Sequence, residues 1–225
     1  MKIVWTGQAG LLIDTGVINI MVDPYFSNSA ASKNPRNWRR SPIKEELFHK
    51  RVDVLVITHS HIDHLDPQTL TRLLDTQTPM TVLAPYHAWQ EVQTLGGPHN
   101  YVLFNRGTVW TQDNAVFTAV RAEHSDRSAV GFLLHAGGQT LYITGDTLYN
   151  KEIFGDLPDG IDAVFLPING IGNNMNLTDA KRFAQKTGAR YAVPIHWGMF
   201  DEIDPAAFDL TNAVIPTLYG EVMLR

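Results

Sequence analysis

The chain has 225 residues, 44% of them hydrophobic and 18% charged, with a formal net charge of −5. That length fits one domain over 1–225 with a sizeable core, and the charge offers nothing for long nucleic acid or an anionic membrane to bind. No cysteine is present, which excludes disulfides, thiolate metal sites and a cysteine nucleophile.

The N-terminal stretch MKIVWTGQAGLLID reads as strand, turn and strand, because Trp5, Thr6, Gly7 and Gln8 interrupt any signal-peptide core. No apolar run approaches the roughly 20 residues that span a bilayer, so a soluble, cytoplasmic protein with no membrane partner is expected. KIVWT, GLLIDT and VINIMVDP form a β-meander. Residues 25–43 are polar and turn-rich, a long loop of the kind that often carries function. KEELFHK suggests a short helix and VDVLVI (52–57) a buried strand. Asp66 and Pro67 then open a helix as N-cap and first helical residue, with Leu70, Leu73 and Leu74 facing inward. TVLAP continues as a strand and HAWQEVQTLG as a helix ended by glycine.

The pattern then returns to β: YVLFN, TVWTQ, AVFTAVRAEH, AVGFLLHAGG and TLYITGD. IDAVFLPI is another buried strand, DAKRFAQKTG a helix capped by Thr178, and RYAVPIHW a strand. PAAFDLTNAV is expected as a helix and PTLYGEVMLR as a last strand. The order is that of two mixed halves, and no G-x-G-x-x-G follows the first strand as a dinucleotide-binding fold requires.

The chemistry concentrates at THSHIDH, residues 58–64. Three of the nine histidines in the chain, with an aspartate, stand within six residues directly after a buried strand. Packing gives no reason to end a strand this way, whereas imidazole and carboxylate are ligands for divalent metals. On extended backbone His59 and His61 point to the same side and can share one ion. Asp63 and His64 sit where the chain turns into the helix and can serve a second. One cluster rarely completes two coordination spheres, and the further ligands stand at later strand ends: His124 after VFTAVRAE, Asp146 after TLYITG, His196 after YAVPI. A strand-end aspartate is ordinarily a turn or cap residue and a lone histidine a hydrogen-bonded one. Three of them in a chain that carries THSHIDH point instead to metal. His49, His87, His99 and His135 fit no ligand pattern and are expected to be structural.

With these residues in place the sequence resembles the metallo-β-lactamase-fold superfamily. THSHIDH fits the H-x-H-x-D-H signature, His124, Asp146 and His196 fit the later motifs, and Asp14 or Asp23 fits the first. Asp23 is favoured because it ends VINIMVD and precedes Pro24. The resemblance implies an α/β (α+β) fold, a four-layer αββα sandwich of two mixed β-sheets with helices outside and metals at one edge. It implies two divalent ions, zinc or manganese: His59, His61 and His124 on the first, Asp63, His64 and His196 on the second, Asp146 bridging, and Asp23 as a support. His64 followed by LDP, the long loop, LPING and PIHWGMF are similar to the subgroup of L-ascorbate-6-phosphate lactonase. The cysteine-containing β-lactamase site is not present.

A pair of ions of this kind lowers the pKa of a bridging water toward neutrality and yields a hydroxide that attacks a carbonyl or phosphorus. The expected activity is hydrolysis of a small anionic ester, lactone or phosphoester, with Asp63 and Asp146 as catalytic carboxylates. Alternatives are a phosphodiesterase or nuclease acting on nucleotides, a non-catalytic member of the fold, or a di-iron redox member. Arg36, Arg39 and Arg40 in the long loop are candidate anion clamps, because arginine forks match carboxylate and phosphate. Asn169 in LPING, with Asn173, Asn174 and Asn176, is a candidate pocket residue. Trp197 and Phe200 beside His196 are expected to pack a wall.

Overall fold

The computed structural model describes residues 1–75 and 78–224. The first half builds β1 (Lys2–Gly7), β2 (Gly10–Asp14), β3 (Asn19–Val22), β4 (Val54–Val56), β5 (Thr81–Ala84) and β6 (Asn100–Leu103), with α1 (Ala30–Lys33), α2 (Pro67–Leu74) and α3 (Tyr86–Val92) between them. The six strands form one sheet in sequence order. β1 to β3 pair antiparallel, as tight turns demand, and β3 to β6 pair parallel through longer crossovers.

The second half mirrors this. β7 (Val109–Gln112), β8 (Ala115–Arg121), β9 (Val130–Ala136) and β10 (Gln139–Ile143) are antiparallel, and β11 (Ala163–Pro167) and β12 (Tyr191–Ile195) extend the sheet in parallel. α4 (Leu177–Thr187) makes the crossover between β11 and β12.

Strand alternation assigns the layers. Val54 and Val56 face the second sheet, and between the sheets they join Leu11, Ile20, Phe117, Phe132, Phe165 and Val193 in the central core. Leu55, between them, points the other way and packs with Leu70, Leu73 and Leu74 of α2. On the far side Tyr142, Val164 and Leu166 meet Ala180, Phe183 and Ala184 of α4. Burying each of these large side chains contributes about 1.5–3 kcal/mol. The result is helix, sheet, sheet, helix, the αββα sandwich that the motifs imply.

Several local expectations are corrected. The cap of α4 is Asn176, whose side chain accepts from Asp179 N, and not Thr178, while Gly188 ends the helix in a left-handed conformation as expected. Within 205–214 only a 3-10 turn forms at Pro205–Ala207, and the segment beyond it is held instead by main-chain bonds to β12, where Ala192 N donates to Asn212 O and Val214 N to Ala192 O. The C-terminal segment makes a bridge from Glu221 to Val4 rather than a strand, and its last residue, 225, lies outside the described residues. The glutamates and leucine of KEELFHK form a 3-10 turn, Glu45–His49. α3 stops at Val92 with Gln93 as its cap, before the glycines. The long loop contains the single turn α1 and a 3-10 turn at Pro35–Asn37.

Candidate metal centre

The site is made of strand ends. β3 delivers Asp23, β4 the segment 58–64, β8 His124, β10 Asp146 and β12 His196, all at one edge of the sandwich. Directly after β4 the chain leaves the sheet. His64 N and Leu65 N both donate to His61 O, closing a turn over 61–65. His59, just before this turn, and His61, at its start, meet with their ring centroids 4.7 Å apart. Asp66 accepts from Gln68 N and caps α2, with Pro67 at its first position, so the helix begins directly behind the site.

Asp23 holds this turn from beneath. Its Oδ1 accepts from Thr58 N (2.8 Å) and its Oδ2 from Thr58 Oγ1 (2.6 Å). Oδ2 also lies 2.8 Å from His64 Nδ1. That contact directs the other ring nitrogen, Nε2, into the cluster. Asp126 does the same from the opposite side. It accepts from Ser60 N and Oγ and from Ser128 N and Oγ, and its Oδ1 is 2.7 Å from His87 Nδ1. These donors outweigh the burial that opposes ionisation and hold the carboxyl well below its ordinary range. His87 thus has a role that sequence spacing did not reveal.

Gly145 in TGD is required by close approach. Its φ is +60°, and a Cβ there would stand 2.8 Å from Val130 O and 3.0 Å from Thr58 Cβ. Only glycine lets the end of β10 come this near to Thr58, and that approach places Asp146 among the histidines.

Three groups of ligand atoms result, each within 4.8 Å: His59, His61 and His124; His59, His64 and Asp146; Asp63, His64 and His196. His124 Nε2 is 3.0 Å from His61 Nδ1. Asp146 reaches both sides, with Oδ2 3.9 Å from His59 Nε2 and Oδ1 3.3 and 3.2 Å from His64 Nε2 and His196 Nε2. His196 Nε2 is also 3.3 Å from Asp63 Oδ2.

The donor atoms fit divalent cations. His59 Nε2 and Asp146 Oδ1 are buried and have no hydrogen-bond partner within the protein, although lone-pair donors surround them. Such atoms are costly to bury unless something binds them. Nitrogen and carboxylate oxygen in this proportion suit a divalent transition metal.

The two sides differ electrostatically. Burial pushes His59 well down, and the neighbouring His64 adds to that. Burial likewise lowers His124, despite the Asp146 carboxylate. For His196 burial also pushes down, but Asp146 and Asp63 outweigh it and raise the imidazole to about 9. His64 is raised in the same way by Asp146, Asp23 and Asp63. Desolvation opposes ionisation of Asp63, which is partly exposed, and of Asp146, which is buried, yet these histidines hold both carboxyls well below the usual range.

The remaining sequence candidates scatter. Arg39 is buried, and its guanidinium donates to Tyr25 O, Ser41 O (2.9 Å) and Tyr219 Oη (3.0 Å), so its bonds bind the long loop to the body. Arg40 pairs with Glu202 at 2.8 Å. Arg36 is exposed in the 3-10 turn. Asn169 stands behind the cluster, with Nδ2 3.0 Å from His196 Nδ1. Trp197 stacks on Trp5 at 4.7 Å between ring centroids, a wall as expected.

Two further residues contact the carboxylates of the cluster, one named as a pocket candidate by the sequence and one that escaped it. Asn174, the pocket candidate, donates from Nδ2 to Asp146 Oδ2 (2.8 Å). Gln8, in the β1–β2 turn, donates from Nε2 to Asp63 Oδ2 (2.8 Å). Neither belongs to a ligand motif, and a turn composition gave the only signal.

Comparison with known proteins places the chain in a family. The β-lactamase superfamily domain matches residues 18–197. The chain belongs to the β-lactamase superfamily. Among curated relatives it is 29% identical to a UPF0173 metal-dependent hydrolase of Pyrococcus furiosus, over 92% of this chain and 90% of that protein. It is 30% identical to a UPF0173 metal-dependent hydrolase of Anoxybacillus flavithermus, over 92% of each. Among solved structures it resembles Igni18, a metallo hydrolase of Ignicoccus hospitalis, with a TM-score of 0.78, 19% identity and coverage of 98% and 97%. It also resembles CmlA, a diiron β-hydroxylase of Streptomyces venezuelae, with a TM-score of 0.72, 17% identity, and coverage of 92% of this chain but 48% of that one. At these identities the structural likenesses speak for the superfamily fold alone.

Proposed function

We propose that this chain is a metal-dependent hydrolase that binds two divalent ions, zinc or manganese, and cleaves a small anionic ester, lactone or phosphoester. The observation that carries this reading is the overlap of the ligand groups. His59 belongs to the first and the second, His64 to the second and the third, and Asp146 stands in the second group, between them. Two ions in adjoining positions would share that carboxylate. When bound, such ions acidify a water to near-neutral pKa and polarise a carbonyl or phosphoryl oxygen.

The protein's own groups divide the work. His59, His61 and His124 would hold one ion, Asp63, His64 and His196 the other, and Asp146 would fix their spacing. Asp63 is the more open carboxylate, with its side chain 16% exposed against 6% for Asp146. Ionised and the less buried of the two, it would accept the proton released on attack.

Substrate charge is read from the cavity beside His124. A space of about 530 Å³ is bordered by His124, Asp126, Arg127, Ser128, Arg106 and Arg121. Arg106 is committed to Asp156, and Arg121 to Glu123 and Glu152. Arg127 makes no ion pair among the described residues, and both its neighbours are bound into the Asp126 network. This guanidinium, rather than those of Arg36, Arg39 or Arg40, is the anion anchor. A larger cavity of about 660 Å³, by Phe48, Arg72 and Leu73, lies on the outer α2 side of the first sheet, away from the ligands.

The test is a panel of carboxylate- and phosphate-bearing esters, lactones and phosphodiesters, with neutral esters alongside. Activity should vanish on chelation and return with two equivalents of zinc or manganese. Arg127→Ala should raise KM about tenfold for the anionic members alone, as loss of a charged hydrogen bond predicts. No turnover on any member with two ions bound would sink the hydrolytic reading. Iron in both positions of protein purified without added metal would favour oxygen chemistry instead.

A further inference from the structure

Gln8 is the most anomalous residue at the site. It fills the two-residue turn between Gly7 and Gly10, the paired ends of β1 and β2, with a φ of +52°. Six non-glycine residues adopt positive φ among those described: Gln8, Asp23, Asp113, Asn173, His196 and Tyr219. Asparagine, aspartate and histidine tolerate this region better than glutamine does, and glycine is the default occupant. A glutamine held there under strain is a reason to look for function.

Its surroundings supply one. Gln8 is buried at 1% exposure. Its main-chain O accepts from His196 N (2.8 Å) and from Trp5 Nε1 (2.9 Å), which fixes the turn against β12. Its side-chain amide enters the group of Asp63, His64 and His196: Nε2 lies 2.8 Å from Asp63 Oδ2 and 3.1 Å from His196 Nε2. The other amide atom, Oε1, is buried without a partner. An amide exchanges its oxygen and nitrogen by a half-turn of its last torsion, so either atom can face the Asp63 and His196 ligand atoms. An N–H facing the lone pairs of a cation's ligands would be repelled by the cation, whereas a carbonyl oxygen would be attracted.

We propose that Gln8 is a further ligand of the second ion, giving a neutral oxygen through Oε1 beside Asp63, His64 and His196. This rests on the two-ion reading and adds to it a ligand that lies outside the matched superfamily segment, residues 18–197. The assignment accounts for three facts at once: the strained turn, the orphaned oxygen, and an amide packed against two metal-competent side chains. A neutral oxygen also favours harder ions, so Gln8 biases the second position toward manganese over zinc.

The experiment measures metal binding, not turnover. Apoprotein is titrated with Zn²⁺, Mn²⁺ and Co²⁺, and affinity is read for each equivalent by calorimetry and by the visible spectrum of cobalt. Gln8→Gly suits the backbone and should fold at least as well as the parent. It should weaken the second equivalent by tenfold or more, leave the first unchanged and alter the cobalt spectrum of the second. Gln8→Glu separates the two ways in which the residue could act. If the oxygen is the ligand, glutamate keeps it and the second ion binds as tightly or more tightly. If the side chain works only through its N–H bond to Asp63, glutamate removes that donor, sets a carboxylate against a carboxylate and weakens the second ion. That second result overturns the proposal, as does a Gln8→Gly protein with two unaltered equivalents. Binding of two ions without any hydrolysis would instead count against the hydrolase reading and leave this ligand assignment standing.

Discussion

The two halves of the ligand cluster are built on opposite electrostatic plans. His59, His61 and His124 form an all-imidazole group in which burial pushes His59 and His124 toward the neutral form. Asp63, His64 and His196 form a mixed group in which carboxylates pull the imidazoles toward the charged form. Each half has its own carboxylate brace, Asp126 under Ser60 and Asp23 under Thr58 and His64. His59 and His124 therefore offer free lone pairs at neutral pH, while the second group offers negative charge and must release protons before it can bind a cation. On the two-ion reading, such a difference would load the first position before the second.

The contrast can be broken most severely at the residue that both halves share. Asp146→Ala should cost both ions, and turnover should fall beyond the roughly 100-fold expected from losing an outer partner alone; elemental analysis and kcat measure this. His124→Ala and His196→Ala should instead each remove one equivalent from opposite halves, visible as single-site titration curves. If either variant loses both, the halves are not separable.

The pH response sharpens the comparison. His196 is raised from its ordinary 6.5 to about 9. Its proton therefore stabilises the folded metal-free protein below pH 6.5, and that contribution is lost as pH rises through 9. An ion competes for the same lone pair, so the sign reverses for binding. Affinity for the second ion should climb by at least about tenfold per pH unit toward 9, more if the His64 proton is also displaced, while affinity for the first stays nearly flat above pH 7. Calorimetric titration at three pH values decides it, and equal slopes would mean that the two groups share one electrostatic environment.

Smaller effects come from the braces. Asp23→Asn should weaken the second ion by about 10–100-fold and spare the first, because it frees the His64 ring. The smallest expected change is a control remote from both halves. Asn176→Ala removes the α4 cap, should cost about 1 kcal/mol in urea unfolding, and should leave metal content unchanged.

Sequence alone was enough for the elements whose cause is local. Alternating apolar runs give the strands, Asp66-Pro67 starts α2 and Gly188 ends α4, because caps and pleats act over a few residues. The clustering of imidazoles at THSHIDH was legible for the same reason. The chain's end was misread because 205–224 pack as turns against other elements, and no local signal distinguishes such a segment from a weak helix or strand. Arg39 looked like a free anion clamp until its burial turned it inward to Tyr25 and Ser41.

Sequence by itself determined which residues can bind metal and that they stand at strand ends, since residue type and strand periodicity are written one position after another. Tertiary structure decided the rest. It brought segments more than a hundred residues apart to one edge, chose Gln8 and Asn174 as contacts, and set the opposite electrostatic character of the two groups. Those outcomes depend on distance and burial between parts of the chain that are remote in sequence, and no local pattern encodes either.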